Sequence, residues 1–327
     1  MALCSFIGKM YPLTLCAAAS VYDMPCYSPL QGYKSKYATA NGKHKITFNR
    51  AHGFVDIPMS VPCGQCIGCR IDKSREWAIR CVHEAKMHQS NCFLTLTYDD
   101  EHLLAGHTLV KEHLQKFLKR LRHHYGSFRF FACGEYGDET KRPHYHAIIF
   151  GLDFHEDRKK HSTNGRGDIL FKCDKLQEIW GHGHILIGSF NYASAAYTAR
   201  YCMKKQTGKD SHNHAQYHRI DPTTGEIIQV NPEFACMSLR PGIGSAWYEK
   251  YKADAFPSDF LVHAGKQHPV PRYYSDKLKK EDETTYKKIK LKRLKFRDEH
   301  KENSTPDRLY TREECKAAQI NTLKRKI

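Results

Sequence analysis

Two rhythms of apolar residues run through the middle of this chain, one alternating and one helical. Cys92–Tyr98 (CFLTLTY) is rich in β-branched and aromatic residues and predicts a strand. Val110, Leu114, Phe117, Leu118 and Leu121 make one stripe at helical spacing, with Lys116, Lys119, Arg120 and Arg122 left to solvent, so a helix is expected over roughly residues 110–124. Further strands are expected at Phe128–Ala132, His144–Leu152 and Gly183–Phe190, the first two joined by a turn containing Gly, Asp, Lys, Arg and Pro. Two more helices bracket the set. One runs from Ser74, a candidate cap, to about His88, with Trp77, Cys81 and Ala85 on one face; the other is the alanine-rich stretch Asn191–Lys205, capped by Asn191 or Ser194. The order strand–helix–strand–strand–strand–helix predicts an α+β fold whose central, largely antiparallel sheet is flanked by helices.

Outside this middle the rhythm fades. Residues 24–62 lack steady periodicity and are punctuated by Pro25, Pro29, Gly32, Gly42, Gly53 and Pro58, which predicts a loop-rich segment. Residues 1–23 loosely resemble a signal peptide, with Lys9 ahead of an apolar run, but Pro12 and Thr14 interrupt that run. They are read as an N-terminal extension, untranslated or disordered, upstream of a second candidate start at Met24. The expected division is therefore an extension (1–23), a loop-rich segment with a cysteine cluster (24–75), a core (76–208), a C-terminal part of the folded region (209–274) and a basic charged tail (275–327).

Charge narrows the function. Among 327 residues, Lys and Arg outnumber Asp and Glu by 52 to 35, giving +17, and an excess of that size favours a polyanionic partner, nucleic acid first. The 13 cysteines are odd in number and spread along a long chain, which argues against a secreted disulfide scaffold. No apolar run approaches the roughly 20 residues of a membrane span, and no membrane partner is expected.

The chemistry-bearing residues form four groups. In the strand containing His144-Tyr145-His146, alternation puts both imidazoles on one face and Tyr145 on the other. Ile148 and Phe150 continue the histidine face and Ala147 and Ile149 the other, so the strand should be central. Two neighbouring imidazoles suit one divalent metal, and Glu135, on the preceding strand, can lie near them across a hairpin, leaving positions open for water and substrate. A histidine-triad phosphohydrolase would need a third histidine at position 148, which is Ile148. The second group is Tyr197 and Tyr201, four residues apart on the expected helix, with Lys204 and Lys205 following; a tyrosyl oxygen is a usable nucleophile once nearby cations and a metal-bound phosphate stabilise its charge. Third, Cys63, Cys66 and Cys69 supply three thiols at zinc spacing, with Cys26, Cys81 or His83 to complete a structural site. Fourth, Lys287, Lys288, Lys290, Lys292, Arg293, Lys295 and Arg297 form a run without acids that is either a phosphate-backbone contact or a solvated helical face.

Together these segments resemble a known family. FLTLTY (93–98), CGEYG with RPHYHAIIFG (133–151) and YTARYCMKK (197–205) fall in the order of the three motifs of HUH rolling-circle endonucleases, and the paired tyrosines are similar to those of initiators from small single-stranded DNA phages. MPCYSPL (24–30), PCGQCIGC (62–69), REWAIRC (75–81) and RPGIG (240–244) resemble the replication initiation proteins of gokushovirus-type microviruses, over about residues 24–274. The resemblance implies an HUH endonuclease fold and a metal-dependent enzyme that nicks the origin. His144, His146 and Glu135 would hold Mg²⁺ or Mn²⁺, and Tyr197 or Tyr201 would form a 5′-phosphotyrosine and free a 3′-hydroxyl primer. The second tyrosine would cleave the regenerated origin, and strand joining would release a circle. Single-stranded or supercoiled origin DNA and a host helicase and polymerase are the implied partners, in the host bacterial cytoplasm. The competing expectation is a non-catalytic, zinc-stabilised DNA-binding protein, which explains the charge and the cysteines but leaves the histidine strand and tyrosine helix as coincidences.

Overall fold

The computed structural model describes residues 26–165, 167–201, 213–221 and 224–322, and for Tyr201 the backbone alone. The expectations for residues 1–23, the Tyr201 side chain, Lys204 and Lys205 lie outside the described residues.

Three strands come first, β1 (Leu30–Ala38), β2 (His44–Thr47) and β3 (Gly53–Val61), paired antiparallel in the order β2-β1-β3. Sequence reading predicts loop here. The reason is physical: most side chains of these strands are exposed on both faces, so the alternation of a half-buried strand is missing. Helix α1 (Ile67–Ala85) follows and starts seven residues before the expected Ser74. Its N-cap is Cys66, whose sulfur accepts from the Cys69 N–H; Ser74 is instead an interior, buried residue whose hydroxyl donates to the Ala196 carbonyl.

The main sheet contains β4 (Asn91–Tyr98), β5 (Arg129–Tyr136), β6 (Pro143–Phe150), β7 (Lys159–Thr163), β8 (Ile169–Lys172) and β9 (Gly183–Ser189). A small hairpin, β10 (His218–Ile220) with β11 (Ile227–Gln229), precedes its last member, β12 (Phe234–Met237). The order is β12-β5-β6-β4-β9-β8-β7, and every pair is antiparallel. The α+β expectation therefore holds. The expected core of residues 76–208 is extended by β12, which pairs with β5 from beyond it.

Two helical layers cover the sheet. On one face, α2 (Lys111–Tyr125) and α3 (Asp174–Trp180) pack over Cys92, Leu94, Leu96, Tyr145, Ala147 and Ile149. Leu114, Phe117, Leu118 and Leu121 of α2 are all buried there, the stripe visible in the sequence. Removing those four side chains from water favours folding by roughly 6–12 kcal/mol before conformational entropy is charged against it. On the other face, α1 and α4 (Tyr192–Tyr201) bury Ala78, Cys81, Ala85, Ala195 and Ala199 against Phe131, Ile148 and Phe150.

The back of α1 carries a third cluster, built with α5 (Ser245–Tyr251), the hairpin β13 (Phe260–His263)–β14 (Lys266–Pro269), α6 (Arg272–Glu281) and α7 (Glu283–Glu299). His83 stacks on Trp247 at 3.5 Å, and its Nδ1 lies 3.0 Å from the Tyr274 hydroxyl. The Arg80 guanidinium lies between the rings of Trp77 and Tyr273, 4.1 Å from each centroid. Buried Glu84 accepts from the Gly244 N–H and pairs with Arg129 of β5, tying the 240–244 loop to the sheet. The expected basic tail is thus largely helical: α6, α7 and α8 (Pro306–Asn321) occupy most of it. Among the described residues no helix is long and apolar enough to cross a membrane.

Candidate functional site

Strand register assembles the first group. Glu135 of β5 sits opposite His144 of β6, and Cys133 opposite His146. On the other side of β6, Thr97 faces His144 and Thr95 faces His146. All of these side chains share the face covered by α1 and α4, whereas Tyr145 points the other way, fully buried, its hydroxyl bonded to Tyr98 and to the Val110 backbone. As expected, β6 is an interior strand.

His146 (5 % exposed) and Glu135 (3 %) form a buried pair, with His146 Nε2 2.9 Å from Glu135 Oε1. His146 Nδ1 lies 3.2 Å from the Thr95 hydroxyl, so the imidazole is held at both nitrogens. Half-buried His144 has its pKa lowered, chiefly by burial and then by the neighbouring His146 and Arg142, against an opposing pull from Glu135. That favours the neutral imidazole, the form that ligates metals. The donor set suits a hard divalent ion: 2.9 Å between a nitrogen and an oxygen donor is close to the edge of an octahedral shell with bonds of about 2.1 Å, which is about 3.0 Å.

Helix α4 delivers the tyrosine. Asn191 Oδ1 accepts from the Ser194 N–H at 2.8 Å while Ser194 Oγ accepts from the Asn191 N–H at 2.9 Å, a reciprocal start on the two residues expected as caps. Buried Ala195 and Ala199 set α4 close against α1 and the sheet. Tyr197 meets the histidine strand: its ring stands edge-on to His146, centroids 5.1 Å apart at 84°, and edge-on to Phe93 at 6.3 Å. Phe93 in turn stacks on His146 at 5.5 Å. The Tyr201 backbone ends the same helix one turn further on. Thr95 and Phe93 were not singled out in the sequence, although the alternation of FLTLTY, read against His-x-His across one strand pair, predicts their side of the sheet.

The third group converges. The sulfurs of Cys26, Cys63, Cys66 and Cys69 all lie within 4.8 Å of one another, and among the described residues this is the cluster of three or more donors that meets that distance. Backbone N–H groups point at the sulfurs: Cys63 to Cys26 at 3.3 Å, Tyr27 to Cys66 at 3.3 Å, and Cys66 to Cys63 at 3.2 Å. Burial raises the Cys63 thiol, but the N–H groups of Cys66 and Gln65 outweigh it and bring its pKa down to about 7. Four sulfurs around zinc, with bonds of about 2.3 Å, stand about 3.8 Å apart, so this cluster can hold a metal such as zinc. Cys26 is the fourth member. The other candidates are elsewhere, Cys81 in the core and His83 against Trp247.

The basic run forms the body of α7. Ile289 is its buried anchor, and Lys287, Lys288, Lys290, Lys292, Lys295 and Arg297 are exposed. Arg293 differs from them. It turns inward and its Nε donates to Asp259 (1 % exposed) at 2.6 Å, so it is engaged within the fold.

Comparison with known proteins follows this geometry. Residues 91–206, from β4 through α4, match the family model of the ORF2-type replication-associated proteins. The chain is 38 % identical to replication-associated protein VP4 of Bdellovibrio phage phiMH2K, over 67 % of each chain. It is 33 % identical to replication-associated protein ORF2 of Spiroplasma virus 4, over 83 % of this chain and 86 % of that one. A third relative, replication-associated protein ORF4 of Chlamydia phage 1, is 29 % identical over 74 % of this chain and 61 % of its own length. No solved structure matches. With relatives of this similarity spanning most of the fold, the chain belongs to the replication-associated proteins of gokushovirus-type microviruses.

Proposed function

We propose that this chain is a rolling-circle replication initiator, a site-specific endonuclease that nicks one strand of origin DNA through a tyrosine and rejoins the displaced strand into a circle. The observation that carries the reading is the meeting of Tyr197 with His146, 5.1 Å between rings, at an imidazole already bonded to Glu135. A candidate nucleophile beside a candidate metal-ligand pair is what phosphoryl transfer needs, and a packing role for the tyrosine does not call for either.

In this reading His144, His146 and Glu135 hold Mg²⁺ or Mn²⁺, which when bound polarises the scissile phosphate and offsets its charge. Glu135 and Thr95 orient His146 from its two nitrogens. The Tyr197 oxygen loses its proton and bonds to phosphorus as the bond from phosphorus to the 3′ oxygen breaks. The departing oxygen takes up a proton and becomes the primer hydroxyl. One phosphoester replaces another, so rejoining needs no ATP. Tyr201 performs the second cleavage, and Lys204 and Lys205 stabilise the developing charge. Zinc in the four-cysteine cluster is a structural ion, and the exposed lysines of α7 contact phosphate backbone. Origin DNA and a host helicase and polymerase are the partners, within the bacterial cytoplasm.

The test is incubation of the full chain with single-stranded origin DNA and Mn²⁺, followed by denaturing electrophoresis. A protein–DNA adduct that resists denaturation and disappears on chelation is expected. Its absence with origin DNA bound would end the endonuclease reading in favour of a non-catalytic DNA-binding protein.

A further inference from the structure

The three-stranded β1–β3 sheet takes no part in the site above, and its surface is unusual. Gly32 of β1 pairs with Met59 of β3, and Lys34 with Ile46 of β2. A side chain at Gly32 would collide with Ile46 and press on the ring of Phe48, so the missing Cβ is what lets those two lie across the sheet. Leu30, Lys34, Ile46, Phe48 and Met59 are all exposed, Phe48 at 59 %. Tyr37 is another exposed ring, at 66 %, standing edge-on to His52. An apolar face this open would ordinarily be covered by something.

Charge identifies the occupant. Residues 30–61 contain Lys34, Lys36, Lys43, Lys45 and Arg50 against a single acid, Asp56. Exposed rings set among cations suit a strand of bases on a phosphate backbone: each base offers a π-face to Phe48 or Tyr37, and each phosphate a charge to a lysine. An apolar protein partner would gain nothing from the cations, and a second copy of the chain would bring like charge against like. The sheet is also fixed relative to the tyrosine helix. Its Leu30–Val61 pair lies just inside Cys26 and Cys63, Cys66 caps α1, and Ser74 of α1 bonds α4.

We infer that the β1–β3 sheet is a stacking platform for single-stranded DNA, separate from the site that contains His146 and Tyr197. The inference rests on the DNA-replication role proposed above, and it is tested on binding alone. Fluorescence anisotropy with a mixed-sequence single-stranded oligonucleotide is measured on the full chain carrying Tyr197→Phe and Tyr201→Phe, in which no covalent chemistry is expected. Adding Phe48→Leu keeps an apolar side chain but removes the ring, and should weaken binding roughly five- to a hundredfold; Phe48→Tyr should bind as the parent does. Changing Lys34, Lys43 and Lys45 together to Gln should flatten the slope of log K against log salt by about 2. Equal affinity of the Leu and Tyr variants overturns the inference. So does a change in sedimentation of the free protein with DNA affinity unchanged, which would mark a protein interface. If the unmodified chain forms no adduct but Phe48→Leu still loses affinity, only the nuclease reading falls.

Discussion

Acid should loosen the attachment of the C-terminal helices to α1, with His83 as the titrating group. This imidazole is 5 % exposed, stacked on Trp247 and bonded to the Tyr274 hydroxyl. Burial, then the charges of Lys86 and His263, push its pKa down from 6.5 to about 3. The sign follows from proton binding: below pH 6.5 the unfolded chain takes up a proton that the folded chain refuses, so stability falls with pH until about 3 and then levels. The full shift corresponds to about 5 kcal/mol, of which about 2 kcal/mol is lost between pH 7 and pH 5. Urea unfolding followed by tryptophan fluorescence at both pH values measures the total, to which other histidines with lowered pKa contribute. His83→Phe isolates the term, because the ring can still stack while nothing titrates. The variant should lose about 2 kcal/mol less than the parent over that interval, whatever its stability at pH 7. An identical loss in both proteins would refute the reasoning.

Four further outcomes are expected. His144→Ala and His146→Ala should each abolish nicking with oligonucleotide affinity nearly unchanged, since charge supplies most of the binding; nicking by the double variant in Mg²⁺ or Mn²⁺ would remove the metal assignment. Tyr197→Phe and Tyr201→Phe should each still form some adduct on a short oligonucleotide, the double variant none, and neither single variant should release closed circles. One zinc per chain is expected by elemental analysis of protein purified under reducing conditions, and Cys26→Ser should lower that content as Cys63→Ser does. Arg293→Ala should cost about 2–4 kcal/mol in urea unfolding by stranding buried Asp259, yet leave DNA affinity within twofold, whereas Lys288→Gln with Lys290→Gln should do the reverse.

Legibility of this fold in the sequence tracked one-sided burial. β4 alternates buried and half-buried positions along its whole length, and α2 buries a single stripe; both stand out as patterns. His144, His146 and Glu135 were found because the same alternation and one tight turn fix their register. Where both faces are wet the pattern vanishes, as in β1–β3, which read as loop. The edge strand β12 was missed for another reason: its partner β5 is about a hundred residues earlier, and no local signal encodes that pairing. Cys66 as the cap of α1 was hidden too, because a sulfur stands where an oxygen is the usual signal. Arg293 looks like its neighbours in the run and differs only through Asp259, which is remote in sequence.

The contact between α1 and α4 is made largely of alanine: Ala78 and Ala85 on one helix, Ala195 and Ala199 on the other. Methyl groups leave no slack, so the distance between the helix axes is a direct readout of side-chain volume at those positions. Because Tyr197 is attached to one of those axes and His146 to the sheet beneath, that volume works as a depth stop for the tyrosine. Enlarging Ala199 to Leu would lift the helix at a cost of about 1–3 kcal/mol, drawing the hydroxyl away from the histidines without touching either. A protein that must hold a cut DNA end and later give it up therefore carries an adjustment for reach that is independent of the reacting groups themselves.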